Sequence, residues 1–109
     1  MLNQVPTIPS TEVYFVFCGI IDQNSVNRIF NTLAVVTNPQ NHVVHVHLLF
    51  QSTGGFVGDG FCLYNFFKSL TVDLTIYNVG SVQSAATIAF LGAKKRKTSA
   101  RAVYASSCP

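Results

Sequence analysis

The segment HVVHVHLLFQSTGGFVGDGFCLYNFFKSLTVDLTIYNVGSVQSAATIAFLG, residues 42–92, decides the fold. It opens with HVVHVHLLF, a β-branched and apolar run that reads as a strand. The run is mostly apolar on both faces, the pattern of a parallel strand covered on both sides. It ends in the turn QSTGG. VGDGFCLYNFFKSL then sets Leu63, Phe66, Phe67 and Leu70 at i, i+3, i+4 and i+7, one face of a helix. VDLTIYNVG reads as a second strand stopping at Gly80, and SAATIAFLGAKK as a second helix. Strands alternating with helices imply right-handed crossovers and a largely parallel sheet.

The same alternation continues outward. LNQVPTIPS carries two prolines and few large apolar residues, so residues 1–11 read as an extended arm. EVYFVFCGII reads as a strand. DQNSVNRIFNTLAVV places Val26, Ile29, Phe30 and Leu33 on one helical face, with Asp22, Asn24 or Ser25 as the cap. TNPQN is a loop. Towards the other end, ARAVYA reads as a further strand, with no helix after it before Cys108 and Pro109. Residues 12–109 are therefore expected to form one incomplete α/β domain, its last strand covered by a neighbouring subunit or by more of a longer domain.

Composition narrows the class. At 109 residues there is room for one domain, and 49% hydrophobic with 10% charged residues is too apolar for a disordered chain. Asn, Gly, His and Thr interrupt the apolar runs, so no membrane span is expected. MLNQVPTIPS lacks the basic and apolar regions of a signal peptide. Cys18, Cys62 and Cys108 are odd in number and widely spaced, which suits neither a disulfide framework nor a zinc site; a reducing, cytoplasmic setting is the expectation. The net charge of +3 is concentrated, since KKRK at 94–97 holds four of the seven basic residues. Following a helix, such cations satisfy the negative end of its dipole. No aromatic residues interleave with them, so neither nucleic acid nor membrane is expected as a partner.

Ligands of open α/β sheets collect at the carboxyl ends of the strands. Two turns leave such ends here, QSTGG and GSVQS. A glycine pair lets backbone N–H groups approach a ligand closely. Ser84 precedes the alanine-rich helix, beside the positive end of its dipole. One N–H from Gly55 and one from Ala85 would form an oxyanion hole next to the serine oxygen. A serine before a helix is nonetheless far more often a cap than a nucleophile.

Two motifs in register change that balance. LLFQSTGGFVGDGFCLYNFFKSL resembles the segment of ClpP-type serine peptidases in which a strand ends in Ser-Pro-Gly-Gly before a glycine-containing helix, and Gly60 falls on that helix glycine. NVGSVQSAATIAFLGAKKRK is similar to the family's nucleophile segment, where a glycine stands four residues before the serine. EVYFVFCGIIDQNSVNRIFNTLAVV resembles the opening strand and helix. The resemblance spans residues 12 to about 107 and the N-terminal part of a family domain. It implies a ClpP/crotonase-like layered fold, with Ser84 as nucleophile and Gly55 and Ala85 as oxyanion-hole amides. It also implies that Gly54, Phe56 and Val57 line the substrate strand. The implied activity is peptide-bond hydrolysis through an acyl-enzyme, in a homo-oligomeric ring with an unfolding ATPase, and without cofactor. A crotonase-type acyl-CoA enzyme shares the general fold but places no serine in this manner at the Ser84 position.

The chain departs from the family pattern in three ways. Thr53 stands in place of the usual proline. Ser107, or Cys108 with a one-residue gap, falls on the position of the catalytic histidine. None of Glu12, Asp22, Asp59 and Asp73 matches the triad acid. A weak or inactive peptidase is expected, with a non-catalytic ring subunit or interaction module as the alternative. His45 and His47 share a strand face but precede the Gly-Gly turn by several residues and are not expected to reach Ser84. They read as half-buried strand histidines, and with no third ligand apparent no metal is assigned. Ile88, Phe90, Leu91, Val103 and Tyr104 are expected to be exposed and to favour association.

Overall fold

The computed structural model describes residues 11–99 and 101–105. The elements are β1 (Thr11–Cys18), α1 (Gln23–Val36), a 3-10 turn (Pro39–Asn41), β2 (Val43–Ser52), α2 (Val57–Ser69), β3 (Asp73–Gln83), α3 (Ala85–Phe90), β4 (Lys95–Thr98) and β5 (Val103–Ala105). The expected arm lies outside the described residues except for Thr11, which begins β1. All five strands belong to one sheet in the order β1-β2-β3-β4, and every pairing is parallel. β4 and β5 share an edge of β3: β4 pairs along Thr75–Asn78 and β5 along Ser81–Gln83. The layered α/β architecture inferred from strand–helix alternation is the one observed.

Alternation along the strands sorts the side chains. Val46, Leu48, Phe50, Leu74 and Ile76 are buried with Val26, Ile29 and Leu33 of α1, Leu63 and Phe67 of α2, and Ala86, Ala89 and Phe90 of α3. Phe30 packs against Phe66 with ring centroids 4.3 Å apart, joining α1 to α2. All three helices thus share one core with one side of the sheet. Among the described residues no helix covers the other side, where Tyr14, Val16 and Val79 are exposed. The expected cover on both faces is thus seen on one face among the described residues; on the other, the rings of Tyr14, His47 and His45 stack on one another. No helix among the described residues is long and apolar enough to cross a membrane.

The caps show why the elements start and stop where they do. Asp22 accepts from Ser25 N–H at 2.9 Å while Ser25 Oγ accepts from Asp22 N–H at 2.9 Å, a reciprocal capping box that starts α1. β3 does not stop at Gly80 but continues to Gln83. A shift in register lets it do so: Phe50 pairs with Asn78, and Ser52 next pairs with Val82. The buried Asn78 accepts from Gly80 N–H at 3.1 Å across this irregularity, and the Gln51 side chain occupies the space where a Gly80 Cβ would stand.

α3 is shorter than the sequence pattern suggests. Its end tightens into Gly92 N–H to Ala89 C=O and Ala93 N–H to Phe90 C=O bonds, after which Lys94 N–H bonds Leu74 C=O and leads into β4. KRKT is therefore an exposed edge strand rather than the tail of a helix. Lysine suits such an edge because it discourages pairing with other chains. Arg96 does what was expected of the cluster: its guanidinium donates to Leu91 C=O at 3.3 Å and Ala93 C=O at 3.0 Å. Phe90, expected at the surface, is buried, whereas Leu91 is exposed. The side chains of Val103 and Tyr104 lie outside what is described.

Candidate active site

Ser84 lies between the end of β3 and the start of α3 in a backbone conformation of φ 56°, ψ −129°. A side chain rarely adopts that region, and a non-glycine residue held there stores on the order of 1–3 kcal/mol of strain. The side chain does not cap α3. A cap residue has extended dihedrals and turns its oxygen toward the N2 or N3 amide. Ser84 is therefore not a side-chain helix cap, and it lies on a sharp strand-to-helix turn.

The Gly-Gly corner meets this turn. A Cβ added at Gly54 would fall 2.8 Å from Ser84 Cβ, 3.2 Å from Ser84 Oγ and 3.1 Å from Gln83 C=O. Only hydrogen fits in that space, so the corner must carry glycine for the serine to lie where it does. Gly54 has φ 116° and Gly55 φ 154°, values that glycine alone adopts without strain. Gly55 also abuts the backbone of Ile21, with no space for a side chain. The corner is pinned from that side: Ile21 N–H donates to Gly54 C=O at 2.8 Å, and Phe56 N–H donates to Ile21 C=O at 2.9 Å. In this parallel bridge Ile21 takes its bonds from the residues flanking Gly55, so Gly55 directs its own N–H away from Ile21.

Ser52 holds the other end of the corner. Its Oγ, fully buried, accepts from Gly54 N–H at 3.1 Å. Ala85 is the first residue of α3, and an amide at that helical position has no intrahelical acceptor. α2 locates α3 through a second close approach: a Cβ on Gly60 would fall 2.6 Å from Ala85 C=O. Gly60, Ala85 and Gly54 thus fix where the serine turn lies.

Phe56 and Val57 form an exposed apolar rim beside the corner, 68% and 55% accessible. The backbone of Phe56 is already engaged, its N–H with Ile21 C=O and its C=O with Gly60 N–H at 3.1 Å. What Phe56 offers a ligand is its ring. Gly54 likewise uses its N–H toward Ser52 and its C=O toward Ile21.

The histidines stand elsewhere. His42 occupies the left-handed position that ends the 3-10 turn before β2. His47 lies five residues before Ser52 on β2, a distance of about 16 Å along a strand rising roughly 3.3 Å per residue. Ser107 and Cys108, which fall at the family's histidine position, lie outside the described residues. The expectation that His45 and His47 lack a third ligand is corrected: Glu12, opposite His45 in the β1–β2 register, brings a carboxylate oxygen to the pair. That contact depends on strand pairing across more than thirty residues, which no local spacing in the sequence displays.

Comparison with known proteins bears on the family and the fold. The family model described as Clp protease matches residues 10–105. Among solved structures, a 1510-N membrane-bound stomatin-specific protease superposes with a TM-score of 0.76 at 13% identity, over 84% of this chain and 45% of that one. The ClpP protease catalytic domain from Plasmodium falciparum gives 0.71 at 20% identity, over 85% of this chain and 53% of that one. ClpP1 from Listeria monocytogenes gives 0.67 at 21% identity, over 73% and 46%. The chain thus spans about half the length of the solved structures it matches. No curated protein matches it. Identities this low carry the fold, and the family model carries the family: over nearly all of its described length, the chain belongs to the Clp protease family.

Proposed function

We propose that this chain carries the nucleophile and oxyanion-hole half of a Clp-type serine endopeptidase site, with Ser84 as nucleophile and the Gly55 and Ala85 amides as the oxyanion hole. The observation that carries the reading is the contact of the Gly54 corner with Ser84, in which a Cβ would stand 3.2 Å from the hydroxyl oxygen. An acyl-transfer site needs this convergence, because charge develops on the carbonyl oxygen while the hydroxyl attacks its carbon. A polypeptide is the substrate, its side chain resting on the Phe56 and Val57 rim. Family membership supports assembly into a ring; an unfolding ATPase as partner and a cytoplasmic setting belong to the same proposal and rest on the sequence alone.

The site works slowly. A serine hydroxyl needs a base, and the described histidines are distant from it or held by other partners. With oxyanion hole and binding alone, roughly 10³–10⁴-fold acceleration over water remains. That no histidine among the described residues stands within reach of Ser84 also favours a second reading, a ring subunit that assembles without hydrolysing.

A fluorophosphonate probe followed by intact-mass and peptide mapping tests both. Slow, stoichiometric modification confined to Ser84 and abolished in Ser84→Ala is the expected result. No modification after prolonged exposure would remove the nucleophile and leave the assembly reading, which sedimentation then checks. Modification as fast as in complete triad enzymes would show that a base is present after all.

A further inference from the structure

On the face of the sheet that no described helix covers, three side chains with metal-binding atoms meet at β1 and β2. A Glu12 carboxylate oxygen and one ring nitrogen from each of His45 and His47 all lie within 4.8 Å of one another. His47 Nε2 is 2.8 Å from Glu12 Oε1. We propose that Glu12, His45 and His47 form a binding site for a divalent transition ion of the zinc class, one that pins β1 to β2 and is independent of Ser84.

The donor chemistry selects the ion. Two imidazoles and one carboxylate are the protein ligands of open zinc sites, and imidazole suits zinc, cobalt, nickel and copper rather than magnesium or calcium. The backbone provides the convergence. His45 and His47 are two apart on one strand and so share a face, and Glu12 pairs with His45 in the parallel register.

Both imidazoles already have the supporting hydroxyls that metal-bound histidines require. His45 Nε2 is 2.7 Å from Thr75 Oγ1, and His47 Nδ1 is 2.7 Å from Tyr77 OH. A hydroxyl can donate or accept, so each partner tolerates the tautomer change that exposes a lone pair to an ion. For His47 that change is simple: Nδ1–H donates to Tyr77, and Nε2 faces the ion beside Glu12.

Binding requires a definite rearrangement. Ligands about 2.0–2.2 Å from zinc in a tetrahedron are roughly 3.3 Å apart, so the cluster must contract. The rings of His45 and His47 are parallel, with centroids 4.2 Å apart and planes 2° apart, so one must turn to share an ion with the other. His47 is held between Tyr14 and His45 and is 7% exposed, whereas His45 is half-buried and Glu12 exposed. Glu12 and His45 are therefore the ligands that move.

Cobalt(II) titration of the purified chain, read by visible absorption and checked with zinc by calorimetry, tests the proposal. One equivalent per chain should give the d–d bands of a low-symmetry nitrogen–oxygen site, displaced by zinc. Glu12→Gln, at an exposed side chain, should weaken binding more than about tenfold, and Tyr77→Phe about tenfold through the lost support of His47. His45→Gln should abolish the bands while circular dichroism stays unchanged. Binding that is absent, or equally tight in Glu12→Gln and His45→Gln, would overturn the site. A thiolate-to-cobalt charge-transfer band would overturn it too, by placing the ion on Cys18 or Cys62, which are exposed thiols.

Discussion

Replacing Gly54 by alanine should unfold or distort the corner on which the site depends, and an internal control lies four residues away. At Gly54 the new methyl would meet Ser84 Cβ at 2.8 Å and Gln83 C=O at 3.1 Å, in a backbone with φ 116°. The dihedral alone costs on the order of 1–3 kcal/mol in a non-glycine residue, and overfilling a packed contact adds about 1–3 kcal/mol. The neighbours cannot yield cheaply, since one is a backbone carbonyl of β3 and the other a Cβ that is itself strained. A destabilisation of about 3 kcal/mol is expected, a large share of the roughly 5–15 kcal/mol typical of a domain. At Gly58, in the first turn of α2, nothing lies within 4 Å of an added Cβ, so alanine there should stabilise by up to about 1 kcal/mol through helix propensity. Urea unfolding by circular dichroism, at equal protein concentration, would show the midpoints moving in opposite directions with unchanged slopes. Equal midpoints for Gly54→Ala and wild type would refute the contact between the Gly-Gly corner and the serine, and with it the candidate site.

Three further outcomes are expected. Ser84→Gly should be more stable than Ser84→Ala by about 1–2 kcal/mol in the same urea assay, because glycine relieves the φ 56° conformation and alanine does not. Asp22→Ala should cost about 1 kcal/mol through loss of the capping box, read as a lower thermal midpoint. Val16→Thr combined with Val79→Thr, at positions 68% and 50% exposed on the open sheet face, should reduce self-association in sedimentation velocity; a wild-type chain already monomeric at high concentration would contradict this.

What the sequence displayed and what it hid follow from the range of the interactions. Helical faces are local, so Val26, Ile29 and Leu33, or Leu63 and Phe67, could be read from spacing and are buried as read. The Gly-Gly turn and Ser84 were visible as residue types in register, although the strain at Ser84 was not, because a serine before a helix usually has cap dihedrals. Three features escaped because their cause lies across the sheet. Gly80 looked like a strand end, yet Gln51 from β2 packs over it and the strand continues. KKRK looked like cations that follow a helix and satisfy its dipole, yet Lys95–Thr98 pair with β3 as a strand. Glu12 was read only as an acid that does not match the triad, yet the β1–β2 register pairs it with His45 and its carboxylate reaches His47.

The contacts that build the candidate site are also contacts that build the fold. Gly60 allows α2 to approach Ala85, Gly92 allows the end of α3 to approach the Tyr64 carbonyl, and Gly54 allows the β2–α2 corner to approach Ser84. Remove any of these close approaches and the α2–α3 packing must open, whatever chemistry the serine performs. Glycines at 60 and 92 are therefore required by packing alone, and their presence does not itself argue for hydrolysis. The serine is different. Its strained dihedrals favour glycine, so a side chain at position 84 lowers stability and gives nothing back through capping. A residue held in strained dihedrals at the junction of two backbone approaches, with its hydroxyl beside them, is the part of this site that the glycine contacts do not require, and it is the feature on which the proposed nucleophile rests.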